Sequence, residues 1–222
     1  MKNLRKTIRE ELLKEMEQID YPNDDPSENF FMIKVKKVKS PKDIEDFRFF
    51  DNIKGFVSID ECSFIDLDGL PKSVDALIIS RNKRLASLKG CPQKVRGGIG
   101  IDTNYKLKSL EGGPQIANRE YTCSMNGLTS LKGAPKSING LFNCSSNELT
   151  SLEGGPQKVS GNYQCLHNNI ASLKGFPKSV GGDFDCRFNP GISGDGFTEK
   201  EIRSVCDVKG KVRFVNSWKM QK

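Results

Sequence analysis

The sequence predicts an α+β repeat: a curved solenoid, mostly strand and loop, with a parallel β-sheet on its concave face and a helix at the N-terminus. Three observations carry the prediction. Residues 128–190 write one 21-residue unit three times, as LTSLKGAPKSINGLFNCSSNE, LTSLEGGPQKVSGNYQCLHNN and IASLKGFPKSVGGDFDCRFNP. The same unit begins at Phe64, Leu85 and Leu107, so six units follow one another in steps of 21, 22, 21, 21 and 21 residues. The second half of each unit alternates, as in Phe184-x-Cys186, and that is the period of a strand. A unit this short cannot bury its own apolar face, whereas stacked units share one continuous core.

The stacked units read L-x-S-L-x-G-x-P-x-x-V-x-G-x-F-x-C-x-x-N-x. The two leucines point inward. Gly and then Pro turn the chain and forbid a helix there. Asn104, Asn126, Asn147, Asn168 and Asn189 close the strand. An Asn side chain bonds turn backbone groups and tolerates the left-handed region, so a column of them ties successive turns together. Residues 43–63 read as a worn seventh unit, because GFVSIDECS keeps the rhythm of GDFDCRFNP without the Pro.

These residues resemble the leucine-rich repeat. The match is closest at Val74-x-x-Leu77-x-Ile79-x-x-Asn82, which has the L-x-x-L-x-L-x-x-N spacing of that family. The short unit with Pro after the second Leu looks like the repeats of bacterial type III effectors, and it is similar to repeats in uncharacterised proteins of T4-like tailed phages. The resemblance spans Asp43 to Pro190. It implies the solenoid fold, and it does not fix a function. Later units depart by one residue: Val180 to Phe184 is a gap of four rather than three, which leaves the strand register open by one position. Effectors with similar repeats can carry a separate ligase domain with a catalytic Cys. The segment after Pro190 is too short for one, so that activity is not carried over.

The net charge of +7 is spread as +2, +2 and +3 over residues 1–42, 43–190 and 191–222. No segment is strongly basic, so nucleic acid is not an expected partner. Four of the seven cysteines, Cys123, Cys144, Cys165 and Cys186, share one slot and read as a column of small buried thiols. The odd count and the lack of a secretion signal predict a reducing, cytoplasmic setting: a host cytoplasm, or a virion if the chain is phage-encoded. No apolar run approaches a membrane span.

Residues 1–29 are expected to form an amphipathic helix and a linker. Leu4, Ile8, Leu12 and Met16 recur every four residues within Lys2–Ile19, and Leu13 and Ile19 widen the stripe. Basic residues crowd its first half and glutamates its second, which opposes the helix dipole at both ends. Such a helix needs packing against the first coil or against a partner. The opening MKNLRKTIREELLKEM also resembles the leaders of many large-phage proteins and implies a phage protein, one carried in the virion among the options. YPNDDPSEN at 21–29 reads as linker. Residues 30–63 are expected to be an N-terminal cap and degenerate repeat. Phe31, Ile33 and Val35 alternate with Lys34 and Lys36 as a first strand whose lysines guard its edge. Ser40-Pro41 reads as a helix start with Ile44 and Phe47 turned inward.

Residues 64–190 are the solenoid. The slot after the second Leu runs Asp68, Lys89, Glu111, Lys132, Glu153, Lys174, so opposite charges alternate along the stack and help fix register. Outward strand positions give the candidate binding face: Gly98, Gly100 and Asp102; Glu120, Thr122 and Ser124; Leu141, Asn143 and Ser145; Asn162, Gln164 and Leu166; Asp183, Asp185 and Arg187. The face is polar, lacks a basic stripe and turns acidic at its C-terminal end, with Leu141 and Leu166 as exposed apolar candidates.

After Pro190 the repeat stops and residues 191–222 are a C-terminal cap. Thr198-x-x-Glu201 is a capping box before Ile202, Val205 and Cys206, and Val208, Val212 and Phe214 suggest strand or hairpin around Lys209-Gly210-Lys211. Trp218 sits in a basic tail. The single histidine, His167, lies in a turn beside Asn168, and Cys165 points inward, so no nucleophile pair is expected. Gly97-Gly98-Ile99-Gly100 lies in a coil's glycine slot rather than in a dinucleotide loop. Asp183 and Asp185 on alternate strand positions make a poor cation cage. The expectation is a non-enzyme without cofactor, metal or small-molecule substrate. It binds a protein through the concave face, through Leu4, Ile8, Leu12 and Met16, or through both. The alternative is a structural component of a virion or other assembly, recruited by the helix.

Overall fold

The computed structural model describes residues 17–18, 31–36 and 52–214. They form a parallel β-solenoid of about six turns, mostly strand and loop with one short helix. Four strands begin it: β1 (Glu17–Gln18), β2 (Phe31–Lys36), β3 (Asn52–Asp60) and β4 (Ser73–Ser80). Each later coil then contributes two short strands: β5 (Lys94–Val95) and β6 (Ile99–Asp102), β7 (Ile116–Ala117) and β8 (Tyr121–Thr122), β9 (Ser137–Ile138) and β10 (Phe142–Asn143). They continue as β11 (Lys158–Val159) and β12 (Tyr163–Gln164), then β13 (Ser179–Val180) and β14 (Phe184–Asp185). Helix α1 (Glu199–Val205), β15 (Asp207–Val208) and β16 (Val212–Arg213) close the described chain. The long sheet runs β1-β2-β3-β4-β6-β8-β10-β12-β14-β16, and a second sheet runs β15-β13-β11-β9.

The open question of register is settled by these pairings. Leu77 faces Ile99, Ile99 faces Tyr121, and the row continues through Phe142, Tyr163 and Phe184 to Val212. The eight-residue β4 is the exception rather than the rule. Its Val74 to Leu77 gap of three keeps one continuous strand, which pairs with both β5 and β6. The other coils carry one more residue, and there the strand breaks into two pieces: β5 and β7 branch from the long sheet through β4, while β9, β11, β13 and β15 form the second sheet. Even β3 shows it, as a register shift against β4 between Ile53 and Phe56.

The inward residues pack as columns. Tyr121, Phe142, Tyr163 and Phe184 stack with centroids 5.9, 5.0 and 5.3 Å apart, within the range where aromatic pairs add to simple burial. Cys123, Cys144, Cys165 and Cys186 form the next column, and all seven cysteines are buried with no disulfide among them. Burial pushes the thiols of Cys123, Cys144 and Cys165 well up and that of Cys186 up to about 12. Tyrosine alternates with phenylalanine in step with the residue before each Pro. Gly113 and Gly155 accompany Tyr121 and Tyr163, whereas Ala134 and Phe176 accompany Phe142 and Phe184. A Cβ on Gly155 would lie 3.3 Å from the Tyr163 hydroxyl and 2.9 Å from Leu131 Cδ1. The glycine makes room for the larger ring.

The asparagine column ties the coils as expected, and it begins one coil earlier, at Asn82. The backbone N–H of Asn104 donates to Asn126 Oδ1 at 2.7 Å, and that of Asn126 donates to Asn147 Oδ1 at 3.1 Å. Each Nδ2 donates to a carbonyl of the preceding coil, as Asn147 does to Cys123 at 2.9 Å. The left-handed conformation, however, is not taken by the asparagines. It falls on the residue before each: Arg81, Thr103, Met125, Ser146, His167 and Phe188, with Glu61 before Cys62, at φ of 53–62°. The ladder bonds need the Asn side chain turned inward, so the preceding residue makes the corner. At the opposite corner Gly154 has φ 83°, and a Cβ there would lie 2.7 Å from the Lys132 backbone nitrogen.

Both ends differ from the sequence reading. The helix expected over Lys2–Ile19 does not include Glu17–Gln18, which form β1, antiparallel to β2. A strand there pairs the open edge of β2 that its lysines were expected to guard. Leu4, Ile8, Leu12 and Met16, the helix start at Ser40-Pro41, and Trp218 lie outside the described residues. At the C-terminus the repeat does not stop at Pro190. Val208-x-Gly210-x-Val212-x-Phe214 is the strand half of the consensus again. Its two strands extend the two sheets in parallel, not as a hairpin. Helix α1 replaces the Leu-x-x-Leu half. Its Thr198/Glu201 capping box is formed, and it buries Ile202 under the last coil.

Candidate functional site

The open face of the long sheet is built from the positions between the inward ones. Because Tyr121 and Cys123 are buried, Glu120, Thr122 and Ser124 must face out, and the same alternation repeats in each coil. The register places the expected residues side by side: Thr122 beside Asn143, Asn143 beside Gln164, and Gln164 beside Asp185. Glu120 and Asn162 are exposed, while Thr122, Leu141, Asn143, Gln164, Leu166, Asp183 and Arg187 are half-buried.

Three expectations need correction. Leu141 and Leu166 are half-buried rather than exposed. Asp185 is buried rather than displayed, with Arg187 bonding both of its carboxylate oxygens at 3.0 and 2.7 Å. The acidic C-terminal end is thus neutralised: Arg187 pairs with Asp185, and Arg213 pairs with Asp183 at 3.2 Å. The Lys211 backbone N–H and Arg213 hold the Asp183 carboxyl below its usual range. Arg213 was missed because the repeat had been ended too early.

The unneutralised carboxylates lie nearer the N-terminal half. Asp102 accepts from Thr122 Oγ1 at 2.8 Å, from Ser124 N–H at 2.8 Å and from Ser124 Oγ at 2.7 Å. Among the described residues no basic side chain pairs with it or with Glu120. The Glu120 carboxylate lies across Gly98, and a Cβ on Gly100 would sit 3.4 Å from Asp102 Oδ2.

The left-handed corners form one more outward column, which sequence reasoning did not find. Met125 is 50% exposed, and His167 stacks flat on Phe188 with centroids 4.2 Å apart. The Arg187 guanidinium lies 6.0 Å from the Phe188 ring centre. Its signal was the single residue before each ladder Asn, which is never Gly or Asn. On the same face Ser145 Oγ is buried without a hydrogen-bond partner.

Other chemistry is sparse. His167 occupies the expected turn, and Cys165 points inward with its thiol directed at the Asp185 carbonyl. Among the described residues no group of three potential ligands could hold a metal, and no helix is long and apolar enough to cross a membrane. A groove of about 300 Å³ on the second sheet is lined by Lys158, Ser179, Asp207 and Lys209, and Lys209 is already paired with Asp207 at 2.8 Å. No protein-family model, curated protein or solved structure matches the chain in comparison.

Proposed function

We propose that this chain is a non-enzymatic protein-binding scaffold of leucine-rich-repeat type that uses the open face of its long sheet. The observation that carries the reading is that face itself: a continuous, laterally registered surface of Glu120, Thr122, Asn143, Asn162, Gln164 and Leu166, with an exposed edge at Met125 and His167. Rigid outward side chains on stacked strands present a large surface at little ordering cost, which favours macromolecular recognition. The Leu-x-x-Leu spacing and the buried Asn column support the repeat type. The test is affinity capture from the native cell with wild type and with Asn143→Arg/Gln164→Arg. Loss of a specific partner, with the unfolding midpoint kept, is expected. A partner retained by the variant at full strength refutes use of this face.

A second reading is a structural component of a virion or other large assembly, recruited by residues 1–19. The stripe of Leu4, Ile8, Leu12 and Met16 favours it. A chain beginning at Phe30 that no longer copurifies with particles supports this reading; copurification by the shortened chain refutes it.

A further inference from the structure

The two sheets end differently at the C-terminal end of the solenoid. On the second sheet each coil offers two carbonyls to the next. The N–H groups of Gly181 and Gly182 donate to Val159 and Gly161, and those of Lys209 and Gly210 donate to Val180 and Gly182. In the last coil the same two carbonyls, of Val208 and Gly210, are taken by one side chain. Arg203 Nη1 donates to Val208 at 2.7 Å and Nη2 donates to Gly210 at 3.2 Å. The guanidinium fork stands in for the two N–H groups of a following coil, and Val208 is only 4% exposed. On the long sheet the bonds run the other way. The N–H groups of Tyr163 and Cys165 donate to Asp183 and Asp185, and those of Phe184 and Cys186 donate to Lys211 and Arg213. The next donors in these rows are Val212 and Phe214, and no described strand lies beyond β16 to accept from them. Their side chains are half-buried against the core, whereas Tyr163, Cys165, Phe184 and Cys186 in the same columns are at most 1% exposed. Among the described residues this edge keeps its donors and a half-covered apolar row, and such an edge recruits a strand.

We propose that residues 218–220 are that strand, returning antiparallel along β16 through a turn at 215–217. The segment is tethered to the edge it fills. Asn216 and Ser217 are turn formers, and three-residue hairpin loops are common. A turn of three residues puts Trp218 opposite Phe214, Lys219 opposite Arg213 and Met220 opposite Val212. Opposite residues point to the same face, so the two apolar residues fall on the apolar row and the lysine falls outside. The carbonyls of Trp218 and Met220 then receive the N–H groups of Phe214 and Val212. A turn of two residues would instead set Lys219 against Val212 and leave Trp218 outside. Lys219 opposite Arg213 is the one unfavourable pair, and Asp183 already bonds that guanidinium at 3.2 Å. The long sheet is closed in the same manner at its first end, where β1 runs antiparallel to β2. This strap goes beyond the scaffold reading and does not depend on it. It ends the solenoid at one molecule, because it leaves no edge at this end on which a strand of another copy can add.

Trp218 is the single tryptophan of the chain, so its fluorescence reads this segment alone. In the full-length protein its emission is expected to lie to the blue of the urea-unfolded chain and to lose acrylamide quenching, equally at every protein concentration. The amide protons of Val212 and Phe214 should exchange as slowly as those of Phe184 and Cys186. Two full-length variants test the alternation, each checked for an unchanged solenoid by circular dichroism. Met220→Asp should move the emission to the unfolded wavelength and release both amides. Lys219→Asp sets a carboxylate opposite Arg213 and should keep or strengthen both signals. Should Met220→Asp fail to fold, Lys219→Asp and the exchange of the unaltered chain still decide. Emission like that of the unfolded chain overturns the proposal. A shielded Trp218 with freely exchanging Val212 and Phe214 overturns it as well, since the segment then lies elsewhere. Equal losses in the two variants overturn the register. A blue shift that fades on dilution, with a dimer in sedimentation, assigns the edge to a second copy and overturns the strap.

Discussion

At the scale of single residues, two kinds of strain distinguish this solenoid, and each predicts a measurement. Gly155 stands where Ala134 stands in the neighbouring coil, and a Cβ there would crowd Leu131 Cδ1 and the Leu152 carbonyl as well as the Tyr163 hydroxyl. Gly155→Ala should therefore destabilise by about 1–3 kcal/mol through overpacking. Tyr163→Phe should return part of that loss, and a double-mutant cycle should give a coupling of at least 0.5 kcal/mol; additive effects would reject the link. The asparagine column behaves differently, since its members hold buried backbone. Asn168→Ala strips the Leu149 N–H of its acceptor at 3.1 Å, removes one of the two amide donors to the Cys144 carbonyl, and should cost about 1–3 kcal/mol. Ser146→Gly, one residue from the ladder, should be neutral or stabilising by up to about 1 kcal/mol, because it relieves a left-handed corner. Urea unfolding of the two variants should show opposite signs. The thiols add a pH prediction. Burial pushes the Cys186 thiol of the folded chain up to about 12, from an ordinary value of 9.0. Its contribution is complete below pH 9 and is lost as pH rises from there towards 12, since only the unfolded thiol ionises in that window. Ellman's reagent at pH 8 should find the column silent in the native chain and reactive in denaturant.

At the scale of the element, the strands were legible where periodicity spoke and illegible where spacing was degenerate. The Phe-x-Cys alternation fixed which side chains face inward, and the capping box placed the start of α1 at Thr198. The open register came from a single inserted residue between Val and Phe, and alternation alone cannot say whether that residue is a bulge or a shift of pairing. Only the corner between two sheets resolves it. The C-terminal coil was hidden because half of its unit is replaced by a helix, so Val208-x-Gly210-x-Val212 carried no neighbouring leucines to mark it. The burial of Asp185 was invisible for a related reason: strand alternation gives direction, while cover depends on Arg187 two residues away. The capping box itself is testable. Thr198→Ala removes the acceptor of the Glu201 N–H and should cost about 1 kcal/mol. If α1 seals the last coil, Thr198→Ala should also speed hydrogen exchange in β13 to β16 more than in β4 to β8; uniform acceleration would mean the end is not a separate unit.

At the scale of the whole molecule, the repeating unit is two coils rather than one. The charge slot forms its pairs as Lys89 with Asp68 at 3.0 Å, Lys132 with Glu111 at 2.8 Å and Lys174 with Glu153 at 3.0 Å. The Gly/Tyr and Ala-or-Phe/Phe alternation follows the same period from Gly113 onward. Each exposed pair contributes little, about 0–1 kcal/mol, but a like-charge contact has the opposite sign, so parity matters when coils are removed. Deleting residues 107–127 takes out one coil, sets Lys89 beside Lys132 and strips Lys132 of Glu111. Deleting 107–148 takes out two coils, sets Lys89 beside Glu153 and leaves both remaining pairs intact. In a solenoid of equivalent coils, stability falls by equal steps with each unit lost. Here the one-coil deletion should fall below the midpoint between the full chain and the two-coil deletion, by about 1 kcal/mol at low salt, and the gap should narrow at 1 M salt, where surface charges are screened. Lys132→Gln within the one-coil deletion should restore most of the difference. Equal steps, or a gap indifferent to both salt and Lys132→Gln, would show instead that the two-coil period in this sequence is a trace of its duplication with no energetic weight.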